Sequence, residues 1–448
     1  MISLLLALAG ALVLPAPAAP PVPPIPALPL AAGDPAADLR AAVLLPTPAE
    51  RRRAARELAA RDDVTLERWL ELCRSFGTFD PPPPGESSTT VELWTGAEPI
   101  ATERTEIFVY VPPTYDPAQP APLLLQLHYT SGSGAGGHRA WQAVADRMGM
   151  LVVSPSEPGA NVGYTFTERE RQATLSALRW ARLRYNVDEN RVFATGVSRG
   201  GHLAWDLALR HPDRFAGIAP MIGGPRIALD RGENNIRYLE NVVPLAIRDL
   251  QGSGDDPVLV HNLRLCFERL AKWKAPDAEL IEFPELGHSF QLDAVDWLAF
   301  WQSCERDATP ERVVRTYARP GEGRAFWVEV LAAEDGVEET FTPRVNKTAW
   351  ERLDRFERLR YVQKRADERT GRLEATRSPS RVKLKGDRVK RARVLFSEET
   401  LPAKRDALVQ WNRKTIRKRV ERETEVLLVE FVERFDRTFL PVFEVTVP

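Results

Sequence analysis

Sulfur is scarce in this chain, with three cysteines and four methionines among 448 residues. Cys73, Cys266 and Cys304 are too few, and odd in number, for a disulfide framework or a cysteine-bound metal cluster. Cys266 and Cys304 fall on neighbouring candidate helices and could pair in an oxidising compartment; two buried thiols suit the sequence equally well. Histidine is also sparse, at six residues, and no pair has metal-ligand spacing with carboxylates to match, so neither a metal nor a cofactor is expected. An excess of charge of either sign is missing: 61 Lys and Arg against 62 Asp and Glu leave a net charge of −1. A duplex binder would carry a domain-scale basic excess, so nucleic acid is excluded as a partner. Beyond the N-terminus there is no long hydrophobic run, and no integral membrane span is expected in a mature chain.

What is present begins with an export signature. Residues 3–14 form an apolar core too short to cross a bilayer, and Ala16-Pro17-Ala18 offers a small-x-small cleavage site. Residues 1–18 are read as a signal peptide, which places the mature protein outside the cell or in a periplasm. Residues 19–37, rich in Pro and Ala, read as a tether. Residues 38–85 read as a small helical segment ended by the breaker Pro81-Pro82-Pro83-Pro84-Gly85.

From residue 86 to 308 apolar runs alternate with amphipathic stretches. Strands are expected at 107–111, 122–128, 151–154, 191–195, 216–220, 243–249 and 278–283. Helices are expected over 139–148, 167–185, 203–210 and 258–273. Such alternation implies an α/β domain, a mostly parallel sheet covered by helices on both faces. After about residue 310 charged residues dominate and short alternating runs appear at 326–330, 381–384, 393–396 and 442–447. Residues 309–448 therefore read as a β-rich accessory module with an independent fold, its ligand unspecified. No candidate triad residue comes from beyond Pro310, so a soluble chain ending near Arg306 is expected to keep activity on a small soluble ester.

The chemistry centres on Gly196-Val197-Ser198-Arg199-Gly200, between the strand 191–195 and a helical pattern. A G-x-S-x-G turn lifts a serine hydroxyl out at the carboxyl end of a sheet, and the glycines allow strand and helix to pack closely. A serine nucleophile needs a base, usually histidine, and a carboxylate to orient that base. On a parallel sheet these arrive in the order Ser, Asp, His. Asp255 lies in the turn Gly252-Ser253-Gly254-Asp255-Asp256-Pro257, and His288 in Glu285-Leu286-Gly287-His288, each after a strand. Asp256 is the substitute carboxylate, with a helix cap as its bland role. Oxyanion donors are expected from the backbone N–H of Arg199 and from the Gly-rich loop after His128, at Thr130 or else Tyr129. His128 itself reads as a brace for that loop.

At these residues the chain resembles the α/β-hydrolase superfamily, in its branch of secreted esterases, polyhydroxybutyrate-depolymerase-like proteins and prolyl-oligopeptidase-like predicted peptidases. The likeness also runs through residues 110–116, 185–192 and 210–220, covers about residues 90–305 and leaves out both ends. It implies a Ser-His-Asp hydrolase that cleaves a small ester or a polymer-derived one through an acyl-enzyme. A serine peptidase with the same triad, or a non-catalytic binder on a decayed hydrolase fold, are the alternatives. Two departures stand out: His128-Tyr129 where the branch has His-Gly, and Arg199 where it has Met or Gln. A cation beside the nucleophile either favours an acidic substrate or pairs with a nearby carboxylate.

Overall fold

The computed structural model describes residues 33–77, 79–95, 102–157, 162–229, 232–343, 345–402 and 405–448. The signal peptide and most of the tether lie outside the described residues. Three helices open the described chain: α1 (Pro35–Leu44), α2 (Pro48–Ala59) and α3 (Leu66–Arg74). Each has a side-chain N-cap, from Asp34, Thr47 and Thr65, and Thr47 with Glu50 completes a capping box.

The central layer is an eight-stranded sheet. Its strands are β1 (Gly85–Trp94), β2 (Thr102–Val111), β3 (Ala121–Leu127), β4 (Leu151–Pro155), β5 (Val187–Val197), β6 (Gly217–Met221), β7 (Ala246–Gly252) and β8 (Ala278–Phe283). They lie in the order β1-β2-β4-β3-β5-β6-β7-β8. Only β2 breaks the parallel run, pairing antiparallel with β1 and with β4. Helices α4 (Gln142–Met148), α5 (Glu168–Arg182), α6 (Arg199–Arg210), α7 (Pro257–Lys272) and α8 (Trp297–Ser303) cover it.

Alternation within the strands assigns the two faces. Leu123, Leu125, Val153, Ala194 and Ile247 join a core with α5, α6 and α7. Leu124, Val152, Phe193 and Leu250 join a second core with Trp141, Trp297 and Trp301 on the α4 and α8 side. Because both faces are apolar, the strand sequences look continuous rather than alternating. Cys266 belongs to the first core and Cys304 to the second, and both are free, buried thiols. Burial pushes each thiol up to about 12.

Beyond the sheet come β9 (Arg312–Tyr317), β10 (Arg324–Ala325), β11 (Val328–Ala333), α9 (Lys347–Arg352), α10 (Arg355–Asp367), β12 (Gly371–Ser378), β13 (Arg381–Asp387), β14 (Val389–Ser397), β15 (Asp406–Trp411), β16 (Lys414–Arg419), α11 (Thr424–Arg434) and β17 (Pro441–Val447). They form a four-stranded sheet, β10-β11-β14-β17, and a five-stranded sheet, β16-β15-β13-β12-β9. Between these lies a core that includes Trp327, Leu373, Val394 and Phe443.

This β-rich part is not detached, which the change in sequence style alone does not reveal. Leu427, Leu428, Phe431 and Val432 of α11 share one core with Leu39, Ala55, Trp69 and Leu70 of α1–α3. The Phe76 ring meets the Phe431 and Phe435 rings at 5.4 and 5.1 Å. Leu359, Val362 and Ala366 of α10 enter the core on the α6–α7 face of the large sheet. Buried ions join the parts as well. Arg306 reaches Asp436 at 2.8 Å, and Arg210 binds Asp206, Glu322 and Glu339 at 3.0, 2.6 and 2.7 Å.

Candidate active site

The elbow is built by close backbone packing. A Cβ on Gly196 would stand 2.5 Å from the Gly200 backbone, and one on Gly200 would stand 2.2 Å from the Leu127 carbonyl oxygen. Between them Ser198 adopts φ 56° and ψ −110°, a conformation L side chains rarely take. Its N–H donates to the Met221 carbonyl at 2.8 Å, tying the turn to the end of β6.

His288 Nε2 lies 3.0 Å from Ser198 Oγ, and His288 Nδ1 lies 2.7 Å from Asp255 Oδ2. The three residues thus meet in one hydrogen-bonded chain, each from a loop at the carboxyl end of a strand. Asp255 is further held by Gln251 Nε2 at 2.9 Å and by the Asp256 N–H at 2.7 Å. Burial acts to raise the Asp255 carboxyl, but the hydrogen bonds from Gln251, His288 and Asp256 outweigh it and hold the group below its ordinary value. Asp256 instead accepts from the Val258 N–H at 2.7 Å and caps α7.

Arg199 answers one question that the sequence leaves open. Its side chain is wholly buried, with Nη1 2.6 Å from Glu157 and Nη2 3.0 Å from Glu170. Its charge is neutralised beneath the elbow rather than offered to the cleft. Glu157 Oε2 also lies 2.9 Å from His128 Nε2, while His128 Nδ1 lies 2.8 Å from the Tyr129 carbonyl. Burial works to lower the His128 pKa, yet its contacts with Glu157 leave it raised on balance. His128 therefore braces the Gly-rich loop from behind. Thr130 of that loop lines the cleft, whereas the Tyr129 side chain is 59% exposed.

The cleft over Ser198 has a volume of about 600 Å³. Two arginines of its lining are not among the sequence candidates. Arg226 follows Gly223-Gly224-Pro225 after β6, a position a strand-end loop could have signalled. Arg355 opens α10, far along the chain, and nothing in the sequence links it to the triad. Among the described residues no group of His, Cys, Asp and Glu has the arrangement of a metal site. Nor, among them, is any helix long and apolar enough to cross a membrane.

No known family profile matches the chain. It is 27% identical over 182 residues to feruloyl esterase C of Emericella nidulans, a match covering 38% of this chain and 66% of that one. It is 28% identical over 153 residues to poly(3-hydroxyalkanoate) depolymerase C of Paucimonas lemoignei, covering 31% and 36% of the two chains. Acetylxylan esterase A of Aspergillus awamori is 26% identical over 124 residues, covering 25% and 39%. The chain thus spans less than two thirds of the length of each of these relatives. Among solved structures, a thermostable esterase superposes with a TM-score of 0.39 at 18% identity, over 48% of this chain and 63% of that one. A ferulic acid esterase superposes with a TM-score of 0.36 at 17% identity, over 49% and 97%. The strand order, the single antiparallel β2 and the serine elbow make this the α/β-hydrolase fold, and the sequence resembles the esterase and depolymerase branch of that superfamily.

Proposed function

We propose that the chain is an exported serine hydrolase that cleaves carboxylic esters through an acyl-enzyme. The observation that carries this reading is the hydrogen-bonded chain from Asp255 through His288 to Ser198, opening onto the cleft. His288 Nε2 takes the Ser198 proton as Oγ attacks the ester carbonyl. Asp255 holds the imidazole in the tautomer with Nδ1–H and stabilises the imidazolium. The oxyanion lies at the N-terminus of α6, where the Arg199 N–H and the helix dipole favour negative charge. The second donor is the Thr130 N–H, with Tyr129 the alternative. His288 then protonates the departing alcohol, and water repeats the sequence to free the acid. Residues 86–308 form the hydrolase domain in this reading, with residues 1–18 directing export and residues 309–448 as accessory module. The ester hydrolases among the relatives favour an ester over a peptide bond.

The test is turnover of p-nitrophenyl butyrate against a peptide anilide. The wild-type chain hydrolyses the ester faster, and Ser198→Ala abolishes turnover while keeping the wild-type melting transition. A Ser198→Ala variant with near wild-type turnover would sink the mechanism.

A further inference from the structure

The cleft carries two cations that the hydrolytic machinery does not use. Arg226 lies with its guanidinium 5.3 Å from the Phe166 ring centre, next to His202 on the first turn of α6. Stacking occupies the face of a guanidinium and leaves its N–H donors free for a ligand. Arg355 is exposed and faces the same cleft from the start of α10. Among the described residues neither has a carboxylate within ion-pair distance. The two acids of the cleft are already engaged, Asp255 by His288 and Asp256 as the cap of α7.

A second cavity of about 280 Å³ adjoins the cleft and shares Ile227 and Asn262 with it. It follows the seam between α7 and α10. Arg269, Arg360 and Lys364 line it, against the single acid Asp367. Positive charge therefore continues from the triad along one track. Arg199, Arg210 and Arg393, by contrast, each hold at least two carboxylates. Arg226 and Arg355, facing the nucleophile without a carboxylate partner among the described residues, mark a place where the substrate can supply the negative charge.

We propose that the ester cleaved here carries a free carboxylate, held by Arg226 and Arg355, and that the α7–α10 seam receives further anionic units of an oligomer. The inference rests on the ester-hydrolase reading of Ser198 and names its substrate class. The accessory module then takes part in substrate selection, since α10 supplies Arg355.

The experiment compares matched pairs of esters. The acyl-side pair is the p-nitrophenyl hemiester of glutaric acid against p-nitrophenyl butyrate; the alcohol-side pair is 3-acetoxybutyrate against its methyl ester. In at least one pair the anionic member has a kcat/KM about tenfold or more above the neutral one, as a charge-assisted contact provides. Which pair shows it tells whether the carboxylate lies on the acyl or the alcohol side. Arg226→Gln and Arg355→Gln each lower that ratio about fivefold or more, and added NaCl lowers it as well. A ratio at or below one in both pairs, or one unmoved by both substitutions, overturns the proposal while leaving the hydrolase reading intact. If no ester is turned over, calorimetry on full-length Ser198→Ala with monomethyl glutarate against dimethyl glutarate decides it: preferential binding of the monoester, lost in the arginine variants, supports it, and equal or absent binding overturns it.

Discussion

At Ser198 the backbone holds a left-handed φ that costs about 1–3 kcal/mol and that the surrounding packing enforces. Its neighbours Asp255 and Asp256 show how two adjacent identical residues take different tasks: one accepts from His288, the other from the first turn of α7. Asp255→Asn should lower kcat by orders of magnitude with little change in KM, because it favours the wrong imidazole tautomer. Asp256→Asn should retain most activity, since asparagine also caps a helix; the reverse ranking in steady-state kinetics would make Asp256 the partner of His288. Asp249 on β7 behaves differently again. Burial drives its carboxyl well above the ordinary range, against the pull of the Trp205 N–H at 2.7 Å, so the folded protein holds this proton to higher pH than the unfolded chain does. In the unfolded chain it ionises near its ordinary value of about 3.9. Above that value the unfolded state binds fewer protons than the folded one, so the contribution of this group to stability falls as pH rises. An asparagine there keeps an acceptor for Trp205 and cannot ionise. Urea titrations should therefore show the stability of Asp249→Asn, relative to wild type, rising as pH increases above about 4; a difference independent of pH would contradict a raised Asp249.

At the scale of elements, α6 is fixed by what glycine permits. The approach of Gly200 to the Leu127 carbonyl leaves no room for a methyl group, so Gly200→Ala should cost at least about 2 kcal/mol as α6 moves away from β3. Loss of the proposed esterase activity should accompany the shift in urea midpoint; an unchanged midpoint would mean that the elbow tolerates more space than its geometry allows. Elements of this kind were legible in the sequence because their signals are local: an apolar run, a glycine turn, an amphipathic stretch. The strands carrying Ser198, Asp255 and His288 could be placed for that reason, together with the loop order of the three residues. The edge strand β1 was not anticipated, since Ser87-Ser88-Thr89-Thr90 lacks an apolar run and the strand is specified by its ten-residue pairing with β2. The expected strand at 243–249 begins instead at Ala246, because a 3₁₀ turn over Ile236–Val242 is followed by a further turn at Val243 and Pro244. Arg355 was beyond reach altogether. Its place beside the triad depends on α10 docking through Leu359, Val362 and Ala366, a contact between segments about a hundred residues apart that no local pattern encodes.

For the molecule as a whole, the cores decide what can be removed. A chain ending at Arg306 keeps the entire triad but strips Leu427, Leu428, Phe431 and Val432 away from α1–α3, and it deprives the buried Arg210 of Glu322 and Glu339. Uncovering such a core and leaving a buried charge short of partners are each strongly destabilising. The truncated chain should therefore express as aggregate or melt without cooperativity, as soluble yield and circular dichroism would show. A soluble, cooperatively melting fragment that hydrolyses p-nitrophenyl butyrate would show instead that the large sheet folds alone. The shared core of α1–α3 with α11 and β17 has a further consequence, in time rather than space. Helices made early on the ribosome must wait, with Leu39, Trp69 and Leu70 uncovered, until partners more than three hundred residues downstream have been synthesised. Contacts of such sequence separation are slow to close, so this core is completed only once α11 and β17 have emerged, and the delay between the two segments sets how long that apolar surface stays open to other proteins.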